Sequence, residues 1–175
     1  MTAIVDYISE MVQKTSDKIS DVIGAELFYS YGHILEINNS FSSCSNTEDF
    51  RKQKYPVILL LQDFAEKMGI DQTIETQVKL QILIIAESDK NYSAADRYAK
   101  VFKPVLYPIY ETFIKILNKD GRLVTPYSGV PHEKIDRPLL ADAFVETTKG
   151  KAKFFNDFLD AIEIRNLQIT ILKTY

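Results

Sequence analysis

Cysteine is almost missing from this chain: Cys44 has no second thiol to pair with. A disulfide framework is thereby excluded, and the pattern suits a reducing compartment. Cys44 lies in the polar run Ser42-Ser43-Cys44-Ser45-Asn46, where no neighbour supplies a base or a positive charge. Nothing there lowers a thiol pKa, so a nucleophilic role is not expected. Histidine is nearly as scarce. His33 follows Gly32, His132 stands in Pro131-His132-Glu133, and neither has a partner at metal-ligand spacing. Both read as surface or hydrogen-bonded side chains. Long apolar runs are absent too, since Val57–Leu61 and Ile82–Ala86 fall far short of a bilayer span. Asp6 and Glu10 argue against a secretory signal. The expectation is a soluble protein with no membrane partner, retained in the compartment that makes it.

A basic surplus is also lacking. Lys and Arg number 21 against 24 Asp and Glu, for a net charge of −3, so the chain as a whole has no excess with which to grip phosphate. Arg51-Lys52-Gln53-Lys54 and Lys149-Gly150-Lys151-Ala152-Lys153 read as solvated loop charge. Phosphate-binding glycine loops and the GxSxG elbow do not occur. Asp63, Glu66, Glu87, Asp89, Asp96, Glu133 and Asp136 are scattered, with no spacing that marks an acid–base pair. No catalytic, cofactor-binding or metal-ligating residue is assigned, and no cofactor is expected.

What is present is ordinary globular sequence. Hydrophobic residues make up 46%, which excludes a wholly disordered chain. At this length one domain over residues 1–175 buries roughly 70% of its unfolded surface. Ile4, Ile8, Met11, Val12, Ile19, Val22 and Ile23 recur near helical spacing, predicting an amphipathic N-terminal helix with its C-cap at Gly24. Leu27–Ile37 is aromatic and β-branched, with a bulge or hairpin expected at Gly32. Tyr55–Phe64 and Thr76–Glu87 follow as heavily apolar strands, whose continuous runs place them near the sheet centre. Ser93 caps a helix with Asp96 in its first turn. Pro104 and Pro108 should then kink or restart that helix near Lys103, because an internal proline loses a hydrogen bond and clashes with the preceding turn. Leu106, Ile109, Phe113, Ile116 and Leu117 supply the apolar stripe of its second half. Phe155–Leu172 alternates as a half-exposed strand.

The fold class expected is α+β: a mainly antiparallel sheet of four to five strands, the N-terminal helix, and a central kinked helical pair. Long loops are expected at 38–54 and 121–150, with Arg122–Pro138 irregular. Tyr92, Tyr98, Tyr107 and Tyr110 read as core rings with wet hydroxyls rather than base-stacking platforms. Phe41, Phe50, Tyr127 and Val130, apolar residues in irregular segments, are candidates for a subunit or partner interface.

The stretch Tyr55-Pro56-Val57-Ile58-Leu59-Leu60-Leu61-Gln62-Asp63-Phe64 suggests more when set beside Leu83-Ile84-Ile85-Ala86-Glu87-Ser88-Asp89-Lys90-Asn91-Tyr92. Arg97-Tyr98 and Phe102-Lys103-Pro104-Val105-Leu106-Tyr107-Pro108-Ile109-Tyr110 follow. This middle part of the chain resembles the neck and tail-completion proteins of tailed phages, and in particular the tail-terminator-like family of small α+β ring proteins. The two long loops have no counterpart in that pattern. The resemblance implies a virion structural protein, made in the host cytoplasm and located at the head–tail junction or tail. It would form a homomeric ring, of about six or twelve subunits, in contact with adjoining portal, connector or tail proteins. DNA would pass non-specifically through a lumen that the acidic balance suits. Two other classes fit the same residues: a small soluble enzyme with an unrecognised carboxylate site, and a protein–protein adaptor that forms no ring.

Overall fold

A computed structural model describes residues 3–33, 36–37, 54–69, 73–140, 144–147, 150–153 and 158–172. The fold is α+β. Helix α1 (Ile4–Ile23) precedes β1 (Phe28–Gly32), β2 (Val57–Leu61), β3 (Glu66–Met68) and β4 (Ile74–Glu87). A long helix follows, α2, built from Ala94–Arg97, Tyr98–Leu106 and Tyr107–Lys119. Then come β5 (Glu133–Arg137), β6 (Phe144–Thr147), β7 (Gly150–Lys153) and β8 (Leu159–Leu172). Six strands form one sheet in the order β1-β2-β4-β8-β5, with β3 paired to β4 beside that path. The count exceeds the four to five expected, because β3 and β5 are short charged strands without an apolar signature. Only β1 and β2 are parallel; the other pairs in this sheet are antiparallel.

The two longest strands, β4 and β8, pair along their whole length and form the spine. Ile82 to Ala86 and Leu159 to Ile164 are buried at every residue, so the sheet is covered on both sides at this end. Ile74–Gln81 alternates instead, Val78 and Leu80 turning inward while Gln77, Lys79 and Gln81 face out. The inner face carries the main core. Ile58, Leu60, Val78, Leu80, Ile82, Ile84, Ile162, Ile164, Leu167 and Ile169 meet Tyr7, Ile8 and Met11 of α1 and Phe102, Ile109 and Phe113 of α2. The outer face carries a smaller cluster, in which Val57, Leu59, Leu61, Leu83, Ile85 and Leu159 lie under Ile37, Tyr55 and Leu140.

Helix α1 runs as expected and stops at Gly24, whose φ of 67° places it in the left-handed region where a side chain would be strained. Its buried stripe ends at Ile19; Val22, counted in the stripe from spacing alone, is exposed. The kink or restart expected near Lys103 takes the form of a π-helical segment within one joined helix. Ser93 and Asp96 form a reciprocal capping box at its start. Tyr98–Leu106, with Pro104 inside it, is π-helical, and the Tyr107 N–H bonds the Phe102 carbonyl five residues back. That wider turn absorbs proline's missing donor and relieves its clash with the preceding carbonyls. Pro108 falls in the first turn of the α-helical segment Tyr107–Lys119, where its fixed φ suits the helix.

The 121–150 excursion, expected as a loop, holds β5 and β6, and the lysine run 149–153 supplies β7. Arg122 to Val124 and Pro131 bond the free edge of β8 beyond β5: Val124 N–H to Thr170 O at 2.9 Å, Leu172 N–H to Arg122 O at 2.8 Å, and Gln168 N–H to Pro131 O at 2.9 Å. Backbone demand along an otherwise open edge explains why this glycine- and proline-punctuated segment is ordered. Gly129, at φ 90°, lets the Asn118 amide come close enough to accept from the Val130 N–H at 2.7 Å. The loop is thereby tied to α2.

Candidate functional site

Two buried acids anchor the polar geometry. Asp160, at the start of β8, is fully buried and faces Arg97 of α2, itself 4% exposed. Arg97 Nη1 donates to Asp160 Oδ1 and to Ser88 Oγ at 2.8 Å each, and Nη2 donates to Asp89 O at 2.8 Å. Ser88 Oγ donates to Asp160 Oδ2 at 2.6 Å, and the Leu139 N–H donates to Oδ1 at 2.9 Å. Every carboxylate oxygen of Asp160 therefore has a donor. The cluster ties β4, α2, β8 and the Leu139 turn together, the condition under which a buried pair is tolerated.

Glu163 is the second. Gln81 Nε2 and Arg165 Nε donate to its Oε1 at 2.6 and 2.5 Å, and Arg137 Nε donates to Oε2 at 2.7 Å. Burial pushes its carboxyl pKa up, but the hydrogen bonds from Arg165 and Arg137 outweigh that and hold it below the ordinary value. Opposite Gln81 the ladder shifts register: two residues, Arg165 and Asn166, face one. Asn166 takes φ 52°, a conformation asparagine tolerates well. This bulge marks where the covered outer face gives way to a polar one. Lys67, Gln77, Lys79, Gln81, Arg165 and Gln168 line an open groove there of about 610 Å³.

An aromatic shelf lies where α2 meets β5. Tyr92, Tyr98, Phe102, Tyr107, Pro138 and Leu139 line a mostly apolar hollow of about 410 Å³. Tyr107 Oη donates to Asp136 Oδ2 at 2.8 Å; that bond, with burial second, pushes the Tyr107 pKa up to about 12. Lys134 stands 4.4 Å from the Tyr107 ring centre while pairing with Asp136 at 2.6 Å. His132 donates from Nδ1 to the Val130 carbonyl, which can only accept, and its Nε2 meets Tyr110 Oη at 2.7 Å. It is thus a hydrogen-bonded histidine of the loop. Tyr98 is 52% exposed, and Leu139 and Phe158 are exposed at the same end of the sheet. Tyr92, Tyr107 and Tyr110 pack against the core as expected, whereas Tyr98 does not.

On the far side of the helices, Arg122 joins Glu10 of α1 and Asp120 at 2.8 and 2.7 Å and lies over the Tyr7 ring. Its bonds hold the Asp120 and Glu10 carboxyls below their usual range. Lys14, Lys18, Lys115 and Lys119 border the adjacent groove between the helices.

Of the four interface candidates, Phe41 and Phe50 lie outside the described residues, as does Cys44. Tyr127 is fully exposed on a turn. Val130 is corrected: it is buried in the main core, its N–H held by Asn118, so it has no surface to offer. Sequence reasoning passed over Arg97, Asp160 and Glu163: Arg97 and Asp160 meet across 63 residues, and Glu163 draws Gln81 and Arg137 from 82 and 26 residues away. The one legible signal was an acid at an otherwise apolar position in a strand. Among the described residues no group of three or more His, Cys, Asp or Glu side chains converges as a metal site would require, and no helix is long and apolar enough to cross a membrane. No protein-family model matches the chain, and no curated protein matches it.

Proposed function

We propose that this chain is a virion structural protein that repeats around an axis as a ring subunit, at the head–tail neck or tail end of a tailed phage. The observation that carries the reading is the apolar hollow at the α2–β5 end, with Tyr98, Leu139 and Phe158 exposed beside it. Exposed apolar residues clustered at one end of a domain are a surface for another protein. The resemblance of the central stretch to tail-terminator-like proteins supplies the kind of assembly, and a sheet packed with helices is the fold that resemblance implies. The two buried carboxylates, Asp160 and Glu163, support the same reading: arginines neutralise both, and they hold the architecture rather than facing a cleft. Adjoining connector or tail rings would meet the hollow and the Tyr127 turn, and the acidic surplus would face passing DNA.

Electron microscopy of the purified protein, alone and with its neighbouring virion proteins, tests this. Closed rings of uniform diameter are expected. Virions that assemble and infect without the chain would end the proposal, and a stable one-to-one complex with a host protein would favour the adaptor reading.

A further inference from the structure

The main sheet has three strands with an open side among the described residues: β1, β3 and β5. Two of them carry the charges that discourage further pairing, Glu66-Lys67-Met68 in β3 and Glu133-Lys134-Ile135-Asp136-Arg137 in β5. β1 reads Phe28-Tyr29-Ser30-Tyr31-Gly32 and has no charge at all. Its pairing shows which backbone groups β2 leaves unused. The Phe28 N–H bonds Pro56 O and the Gly32 carbonyl accepts from Gln62 N–H, so residues 28, 30 and 32 turn their backbone toward β2. By the alternation of a parallel ladder, the N–H and C=O of Tyr29 and Tyr31 point away from the sheet. Tyr31 is 52% exposed.

Among the described residues, one strand pair stands outside that sheet. β6 and β7 bond one another, Phe144 opposite Lys153 and Thr147 opposite Gly150, as a two-stranded unit separate from the six-stranded one. Such a hairpin is marginal in water and gains stability from a third strand. β7 reads Gly150-Lys151-Ala152-Lys153, a composition that discourages edge pairing, whereas β6 reads Phe144-Val145-Glu146-Thr147 and is the better strand former. The hairpin is inserted between β5 and β8, at the other end of the strand order from β1; β1 and β5 stand four strand spacings apart, about 19 Å. A donor on one side and an acceptor on the other is the arrangement that joins copies head to tail.

We infer that β6 of one copy adds as a strand to the β1 edge of the next, so that a second copy of this chain occupies the edge. The inference rests on the ring reading above and names the contact that would close the ring. Backbone bonds to Tyr29 and Tyr31 give the affinity, and the uncharged edge admits the incoming strand.

The test places Tyr31→Cys and Val145→Cys in one Cys44→Ser chain, joined with a short bismaleimide and read on a denaturing gel. Mass photometry of Tyr31→Pro, Tyr31→Lys and a Gly-Ser replacement of residues 144–153 runs in parallel. A ladder of multimers is expected, with at least a tenfold loss of rings in all three variants while circular dichroism shows the fold kept. Tyr31→Pro removes a donor that β2 does not use. Rings that survive all three variants would overturn the inference and leave the ring reading standing. A Tyr31–Val145 link confined to monomers would overturn it too, since the hairpin would be folding onto its own edge. Unmodified protein that stays monomeric, alone and with its virion neighbours, would overturn both.

Discussion

The two faces of the six-stranded sheet are built from the same strands and face different surroundings. On β2, Leu60 points into the core under the helices and Leu59 into the smaller outer cluster, though the two are adjacent and both fully buried. Along β4 and β8 the inner face is apolar apart from the buried Thr76 and Asp160. The outer face changes at the Arg165-Asn166 bulge from Leu83, Ile85 and Ala161 to Gln77, Lys79, Gln81 and Gln168. The difference explains the sequence pattern directly. Where both faces are covered the strand is unbroken apolar residues, and where one is wet it alternates. Each face also has its buried acid. Asp160 locks the inner side to α2, and Glu163 sits at the boundary where the outer side opens.

The largest effect should come from breaking the inner lock. Asp160→Ala leaves the buried Arg97 without its counter-charge and should cost about 3–5 kcal/mol in urea denaturation. An Arg97→Leu, Asp160→Leu double variant should recover much of that. A single-variant loss below about 1 kcal/mol would show that the lock does not matter.

Next, Leu60→Ala and Leu59→Ala compare the faces at neighbouring residues. Both fall in the range of about 2–5 kcal/mol, with Leu60→Ala the costlier because helix and sheet hold the cavity open. Equal losses would remove the distinction between a rigid inner core and a smaller outer one.

At the boundary, the Glu163 carboxyl has a lower pKa in the folded state than in the unfolded chain. Its stabilisation is therefore present above the unfolded value, about pH 4.3, and is lost as pH falls through the folded one. Acid titration of Glu163→Gln should show a shallower decline over that window than the parent chain. Identical slopes would count against the two-arginine arrangement.

The bulge itself is the gentlest probe. Asn166→Val forces a β-branched residue into a left-handed conformation and should cost about 1–2 kcal/mol, whereas Asn166→Gly should stay within about 0.5 kcal/mol. Thermal melts that reverse this order would place the bulge elsewhere.

Much of the fold was legible because burial writes itself into spacing. Tyr55–Phe64 contains β2, Thr76–Glu87 falls within β4, and Phe155–Leu172 contains β8; the boundaries moved by a few residues. The prolines were legible as an interruption of the helix but not as a π-helical segment, because spacing does not show that a wider turn absorbs Pro104. β5 was missed because a five-residue strand with four charges at the sheet edge resembles a solvated loop. Val130 was misplaced because a loop residue pinned by Asn118 and buried under the helices looks the same in sequence as an exposed one. Arg97, Asp160 and Glu163 stayed hidden, since an ion pair spanning 63 residues leaves no periodic trace.

Light scattering coupled to size exclusion, on the full chain and on the chain with its neighbouring virion proteins, measures the claim most directly. The ring account predicts one closed species at a fixed multiple of 20.1 kDa, unchanged on dilution once formed. A mass of one chain under every condition would contradict it.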